Sequence, residues 1–391
     1  MRIAIITSWY PNRQGPIGGA FVLQQAAVLA EQHDVALVAP IRIYWRDAWR
    51  ALPGRMPVEQ QGRVTVFRQR WLSPFPRCPQ YWVQGRACDA VRRGFAELLR
   101  HWGRPDIIHS HVVLPAGYVG AELGARYGIP SVLTEHSGPF AMHLQSPGER
   151  RMVEDTLRGT SRVLAVGIDL REQMRSFAPD VNVEVVGNVI ATRSFIPASE
   201  ARRSAVTRFL AVGGLAAIKG HTYLLQAAGE LVAQGQTNFE LRIAGDGNLR
   251  GALERQAKAL HLGSHCRFLG WLRPAEVCAE MQQCDLFVVP SLRETFCIAA
   301  GEAMACGKPV LTTRCGAEQL VSAGTGVVVE PENARALANV MGRFLAGAYR
   351  FDPVVIRASV VERFGEEVLL RNLERVYDGV LHATPTGGAV R

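Results

Sequence analysis

The sequence predicts an α/β protein made of two Rossmann-like units in series, and three observations carry that prediction. Its 391 residues are long for a single hydrophobic core and suit two domains of roughly 150 to 200 residues each. Short β-rich apolar runs, lacking strict alternation, recur between helix-like segments, as expected of parallel strands buried on both faces. The same alternation restarts after a lower-order stretch near 190–207.

In the first half the runs are Ile3–Ile6, Val35–Ala39, Val64–Phe67, Asp106–His109, Ser131–Thr134 and Val163–Val166. In the second half they are Phe209–Val212, Leu241–Ala244, Arg267–Leu269, Leu286–Pro290, Pro309–Thr312 and Val327–Val329. The expected domains are therefore 1–195 and 196–375, with a tail at 376–391 whose Ala383–Gly388 stretch is low in complexity. Open parallel sheets bind ligands beyond the carboxyl ends of their strands, so two sheets facing a central cleft direct attention to residues just after strands.

Composition narrows the class. Hydrophobic residues make up 48% and charged residues 20%, the proportions of an ordinary globular protein. No apolar run reaches the roughly 18 residues of a membrane span, and the opening Met1–Ile6 reads as a strand rather than a leader. Eight cysteines stand at 78, 88, 266, 278, 284, 297, 306 and 315 without a Cys-x-x-Cys pair, which suggests reduced thiols and a cytoplasmic location. No two aspartates stand at i and i+2, so no metal site is expected.

The net charge of +9 is concentrated: residues 40–105 hold thirteen arginines, no lysine and four acids, which points to a local anionic partner. Arg42, Arg46 and Arg50 have i, i+4, i+8 spacing beside Tyr44, Trp45 and Trp49, which predicts a basic, tryptophan-bearing helix at the inner face of an anionic membrane. Arg86, Arg93 and Arg100 recur every seven residues beside the apolar set Ala87, Val91, Phe95 and Leu98. That second pattern fits equally a solvated polar face over a core-facing one. No nucleic-acid-binding motif accompanies the charge.

The residues able to do chemistry follow strands. A loop with Gly15, Gly18 and Gly19 leads from the first strand into a helix; it can let backbone amides approach an anion, or be a plain turn. Gly213 and Gly214 follow the first strand of the second half and lead to Lys219, whose ammonium could neutralise a departing diphosphate. Glu294 and Glu302, eight positions apart after another strand, could reach separate hydroxyl-rich parts of one ligand. Each is also compatible with a solvated surface residue when taken alone.

Together, Pro290-Ser291, Glu294, Glu302 and the run Glu302-Ala303-Met304-Ala305-Cys306-Gly307-Lys308-Pro309 resemble the signature of the group 1 retaining glycosyltransferases of the GT-B fold. Companion segments are Lys219-Gly220, Ala244-Gly245-Asp246-Gly247, Asp106–His111 with Pro115-Ala116-Gly117, Thr134-Glu135-His136-Ser137, Asn188-Val189 and Gly324-Thr325-Gly326. The likeness covers about residues 1–380. It implies a nucleotide-sugar donor, UDP- or GDP-linked, as substrate, with no separate cofactor and a glycan or lipid-linked acceptor. Lys219 would hold the donor diphosphate, Glu294 the hydroxyls of the transferred sugar and Glu302 the ribose. Gly18, Gly19, Gly213, Gly214, Phe296 and Cys297 would line the donor site, and His136 would lie beside the sugar.

Three departures stand out. Gly214 replaces an arginine that usually assists the leaving diphosphate, Cys297 replaces a glycine, and Arg314–Glu318 lacks a proline and one glycine of the usual pattern. The alternatives are a nucleotide-sugar epimerase of the same architecture and a catalytically inactive, glycosyltransferase-like binding subunit.

Overall fold

The computed structural model describes residues 1–11, 18–44, 54–73, 80–200 and 205–382. The chain forms two compact units, one of residues 1–187 joined by the chain from Leu369 onward, the other Asn188–Val368.

The first unit is a sheet of β1 (Arg2–Thr7), β2 (Asp34–Tyr44), β3 (Gly54–Arg55), β4 (Glu59–Gln61), β5 (Val64–Ser73), β6 (Ile107–His111), β7 (Ser131–Glu135), β8 (Arg162–Ala165) and β9 (Val183–Val185). Its order is β3-β5-β2-β1-β6-β7-β8-β9, with β4 also on β5. The pairings are parallel except those of β3 and β4, which are antiparallel to β5. Helices α1 (Ala20–Leu29), α2 (Gln80–His101), α3 (Tyr118–Tyr127), α4 (Pro147–Gly159) and α5 (Ile168–Phe177) connect the parallel strands. Ile3, Ile5, Val35, Leu37, Val66, Ile107 and Leu133 are fully or almost fully buried, as strands covered on both faces must be.

The second unit repeats the plan with β10 (Thr207–Val212), β11 (Phe239–Ala244), β12 (Cys266–Gly270), β13 (Leu286–Val289), β14 (Val310–Thr313) and β15 (Gly326–Val329). They are all parallel, in the order β12-β11-β10-β13-β14-β15. Its helices are α6 (His221–Ala233), α7 (Arg250–Ala259), α8 (Pro274–Gln283), α9 (Ile298–Ala305), α10 (Ala334–Leu345) and α11 (Pro353–Phe364). Phe209, Leu224, Leu231, Leu241, Ile243, Leu311 and Met341 form the centre of its core. A last helix, α12 (Glu366–Leu381), begins in this unit and runs into the first.

All twelve expected strands are present. The units divide at 187 and 368, where the sequence suggests 195 and 375. The reason is local bonding: Ile190 N–H donates to the Phe364 carbonyl at 2.9 Å, and Arg357 of α11 donates to the carbonyls of Thr192 and Phe195, each at 2.9 Å, and of Ala305. Residues 188–195 are thereby part of the second unit.

The helix expected from Arg42 is corrected at its first residue. Arg42 lies in β2, which pairs with β5 position by position from Val35↔Val64 to Tyr44↔Ser73. The Arg42 guanidinium donates to Ser73 Oγ at 2.7 Å and sits 4.8 Å from the Tyr44 ring centroid. Strand pairing thus overrides the helical spacing. Trp45, Arg46, Trp49 and Arg50 lie outside the described residues. The second basic segment is helical as its periodicity suggests: Ala87, Val91, Phe95 and Leu98 of α2 are buried, while Trp82, Arg86, Arg93 and Arg100 are exposed.

Arg357→Ala removes three charge-assisted hydrogen bonds and leaves carbonyls behind. It should lower unfolding free energy by about 2–4 kcal/mol, read from the urea midpoint; a change within error would show that solvent satisfies those carbonyls equally well.

Candidate functional site

Strand order places the switch point of the second sheet between β10 and β13, the neighbours from which successive connections run in opposite directions. Lys219 follows β10 and Glu294 follows β13. Lys219 Nζ donates to both Glu294 carboxylate oxygens, at 2.8 and 3.0 Å. Ser291 Oγ donates to Glu294 Oε1 at 2.7 Å, and Thr313 Oγ1 donates to the Ser291 carbonyl. Burial presses the Lys219 pKa down, but the Glu294 carboxylate outweighs it and the pKa is raised, so the ammonium stays charged.

The backbone around this pair leaves little latitude. Leu292 N–H donates to the Ile218 carbonyl at 2.8 Å and Glu294 N–H to the Cys315 carbonyl at 2.5 Å. Gly220 has φ +64°, and a Cβ there would lie 1.9 Å from the Pro290 carbonyl oxygen. Gly316 has φ +109°, with a Cβ 2.1 Å from the Glu294 carbonyl oxygen. Only glycine permits both approaches. Gly213 flanks the Lys219 side chain, whereas a Cβ at exposed Gly214 would meet nothing nearer than 4.0 Å. The space that a side chain would take at Gly214 is therefore open.

Helix α9 follows directly. Its N-cap is Cys297, at φ 71° and ψ 72°. This is the left-handed region, which costs a non-glycine residue of order 1 kcal/mol. A glycine would relieve that cost, so the chain holds a thiol beside Lys219 and Glu294 despite it. Burial, with Glu294 adding to it, pushes the thiol pKa well up and keeps it protonated. Glu302 lies on the same partly open face of α9 as Ile298 and Ala299, and its carboxyl has no hydrogen-bond or ion-pair partner among the described residues. Burial pushes its pKa up to about 8. Phe296, expected among the donor contacts, has a side chain 1% exposed that packs edge-on against Phe364, with ring centroids 5.0 Å apart. It serves the core of the unit.

The first unit has its own switch point, between β1 and β6. Gly19 is the N-cap of α1 at φ 78°, where a Cβ would lie 2.2 Å from the Trp9 carbonyl oxygen; Gly18 beside it is exposed. His136 follows β7 and is 5% exposed, with the Phe21 ring of α1 tilted against it at a centroid distance of 4.5 Å. Its loop is anchored by fully buried Glu135, which accepts from the N–H groups of Val113 (2.6 Å), His136 (2.9 Å) and Ser137 (2.7 Å) and from Ser137 Oγ. Burial raises the Glu135 pKa, but His143 and these donors overcome it and hold the value down to about 2.

The structure thus brings Gly213, Lys219, Glu294, Cys297 and Glu302 together in one unit and places Gly18, Gly19 and His136 in the other. Sequence reasoning gave no role to the supporting residues Ser291, Thr313 and the two buried histidines of β6, His109 and His111. The available signal was polar residues at i and i+2 inside an otherwise apolar strand, hence on one face.

The family model for "Glycosyl transferases group 1" matches residues 206–347, and that for "Glycosyltransferase Family 4" matches residues 18–194. An uncharacterised glycosyltransferase of Methanocaldococcus jannaschii is 29% identical over 235 residues, 59% of this chain and 63% of that protein. The first matched relatives are therefore covered over less than two thirds of their length. The D-inositol 3-phosphate glycosyltransferase of Frankia alni is 28% identical over 366 residues, 86% of this chain and 88% of that one. Among solved structures, sucrose-phosphate synthase from Thermosynechococcus elongatus superposes with a TM-score of 0.75 at 20% identity, covering 98% of this chain and 100% of that one. Anabaena HepE in complex with UDP and glucose gives 0.73 at 18%, covering 97% and 100%.

Glu302 gives a pH test. Its carboxyl titrates near 8 when folded against about 4.3 when unfolded, so between these values the native state holds the extra proton. Wild-type stability should then fall as pH rises from about 5 to 8, and Glu302→Gln should remove that part of the slope. Urea midpoints that run parallel for the two proteins across this range would contradict it.

Proposed function

We propose that this chain, which belongs to the group 1 glycosyltransferases of the GT-B fold, binds a nucleotide-diphosphate sugar on its second unit and transfers the sugar with retention of anomeric configuration. The observation that carries the reading is the Lys219–Glu294 pair at the β10/β13 switch point, with the Glu302 carboxyl, unpartnered among the described residues, one helix turn beyond the α9 N-terminus.

In the resting protein Lys219 and Glu294 satisfy each other. An incoming diphosphate offers Lys219 stronger charge, and the sugar hydroxyls offer Glu294 donors, so the ligand replaces one internal ion pair with two charge-assisted contacts. Glu302 accepts from the ribose hydroxyls, which supply the hydrogen bonds its carboxyl otherwise lacks. As the bond from the sugar C1 to the phosphate oxygen breaks, the new C1–O bond to the acceptor forms on the same face. The acceptor proton passes to the departing phosphate, leaving a nucleoside diphosphate. Lys219 and the α9 amides carry the stabilisation of that leaving group, which makes the reaction metal-independent. No Asp-x-Asp pair in the sequence suggests another arrangement.

The proposed acceptor is a lipid-linked glycan reached at the inner face of an anionic membrane. The support is the outer stripe of α2, where Trp82 is 66% exposed and Arg86 and Arg93 are exposed without an ion-pair partner among the described residues. No described helix is long and apolar enough to cross a membrane. A phosphorylated polyol is the second reading, favoured by relatives named for D-inositol 3-phosphate.

Incubation with UDP- and GDP-sugars, with either acceptor class present, should give acceptor-dependent nucleotide release insensitive to chelator. An epimerase would isomerise the donor without acceptor, and an inactive subunit would do neither. Glu294→Ala or Lys219→Ala should cost about 2–4 kcal/mol, or two to three decades in kcat/KM; near-native turnover of a folded variant would remove the assignment. Anionic vesicles should sediment the protein at low salt, less so as salt rises and less for the triple variant Trp82→Ala, Arg86→Ala, Arg93→Ala. Wild-type protein remaining in the supernatant would leave the soluble acceptor.

A further inference from the structure

Three imidazoles lie in a row within the first unit. His109 and His111 point from the same face of β6 and stack with centroids 4.4 Å apart, and His111 stacks on His136 at 5.1 Å. They are 0%, 0% and 5% exposed. At the inner end, His109 Nδ1 is 2.7 Å from Tyr377 Oη of α12 and His109 Nε2 is 2.8 Å from Thr134 Oγ1. At the outer end, His111 Nδ1 is 2.9 Å from His136 Nε2.

Charge is excluded from the inner two rings. Burial, reinforced by His136, lowers the His109 pKa to about 3, and burial with His109 and His136 lowers that of His111 well below its ordinary value. Neutral His111 carries one ring hydrogen, on Nδ1 or on Nε2. His111 Nε2 is buried with no hydrogen-bond partner among the described residues. A hydrogen there would be an orphaned buried donor, whereas a bare lone pair there leaves only an acceptor unused; orphaned N–H groups are the rarer and costlier case. The hydrogen therefore sits on Nδ1 and is donated to His136 Nε2.

We propose that His111 is a positioning residue that fixes His136 in its Nδ1–H tautomer. His136 Nε2 is then committed as an acceptor within the stack, so the other ring nitrogen is a hydrogen-bond donor and not a base. Resting on the proposed transferase reading, His136 then offers no lone pair to take the acceptor's proton, which is left to the departing phosphate.

Long-range 1H–15N spectra of the full chain labelled at histidine test the assignment without reference to activity. His136, identified by the signals missing in His136→Gln, should show a protonated Nδ1 and a bare Nε2. In His111→Phe, which keeps a ring but donates nothing, the Nε2–H form should gain population. In His111→Asn, whose amide nitrogen can stand in for Nδ1, the wild-type pattern should return. A wild-type His136 bearing its hydrogen on Nε2, or a pattern unmoved in His111→Phe, overturns the proposal; the wild-type spectrum decides even if a variant fails to fold. With UDP-glucose as probe, kcat should fall roughly 10- to 100-fold in His111→Phe, the usual scale for partners that orient a working imidazole, and recover in His111→Asn. Wild-type protein that turns over no nucleotide sugar yet shows the Nδ1–H form supports the tautomer and removes the transferase reading.

Discussion

A half-buried ammonium held against a carboxylate, Lys219 on Glu294, is the constraint around which the second unit is organised. Removing such charges from water is unfavourable unless each is fully engaged. The neighbouring loops are built to meet that condition. Ser291 adds a donor to Glu294, Thr313 steadies Ser291, and the Gly220 and Gly316 positions let backbones approach where any side chain would collide. The pairing of β10 with β13 sets the two loops side by side in the first place. A ligand that separates the pair must satisfy both members at once, which is the chemistry of a diphosphate attached to a hydroxyl-rich sugar.

The two units handle buried charge in opposite ways. In the second, Lys219 and Glu294 are partly open, and Glu302 has no hydrogen-bond or ion-pair partner among the described residues. In the first, Glu135 is sealed beneath backbone amides, and His109 and His111 are held neutral. Its polar interior is consumed in fixing the orientation of one ring, His136. Such an arrangement suits steering rather than proton transfer, because a neutral stack gives up no charge when a ligand arrives.

Much of the architecture was legible because parallel strands buried on both faces must be continuous apolar runs, and runs such as Leu286–Val289 have no other reading between turn residues. The short edge strand Glu59–Gln61 was not, since an exposed antiparallel edge needs no apolar content. Arg42 misled because arginines at i, i+4 and i+8 also occur by chance along a strand, and the ten-position pairing of β2 with β5 decides the matter only in three dimensions. At the site, Lys219, Glu294 and Glu302 were drawn to notice by their places after strands, and only the family resemblance gave them roles. The left-handed backbone of Cys297 and the burial of Phe296 depend on distant packing and left no local mark, and the histidine stack showed only as polar residues at i and i+2 of an apolar strand.

The central claim is that the β10 and β13 loops receive a nucleoside diphosphate. Amide hydrogen exchange of the full chain, with and without saturating UDP or GDP, addresses it directly, since exchange slows where amides become bonded or shielded. The account predicts slowing concentrated at 213–220 and 294–302, carrying Lys219 and Glu302. Exchange unchanged in both segments, with slowing elsewhere in the chain, would contradict it.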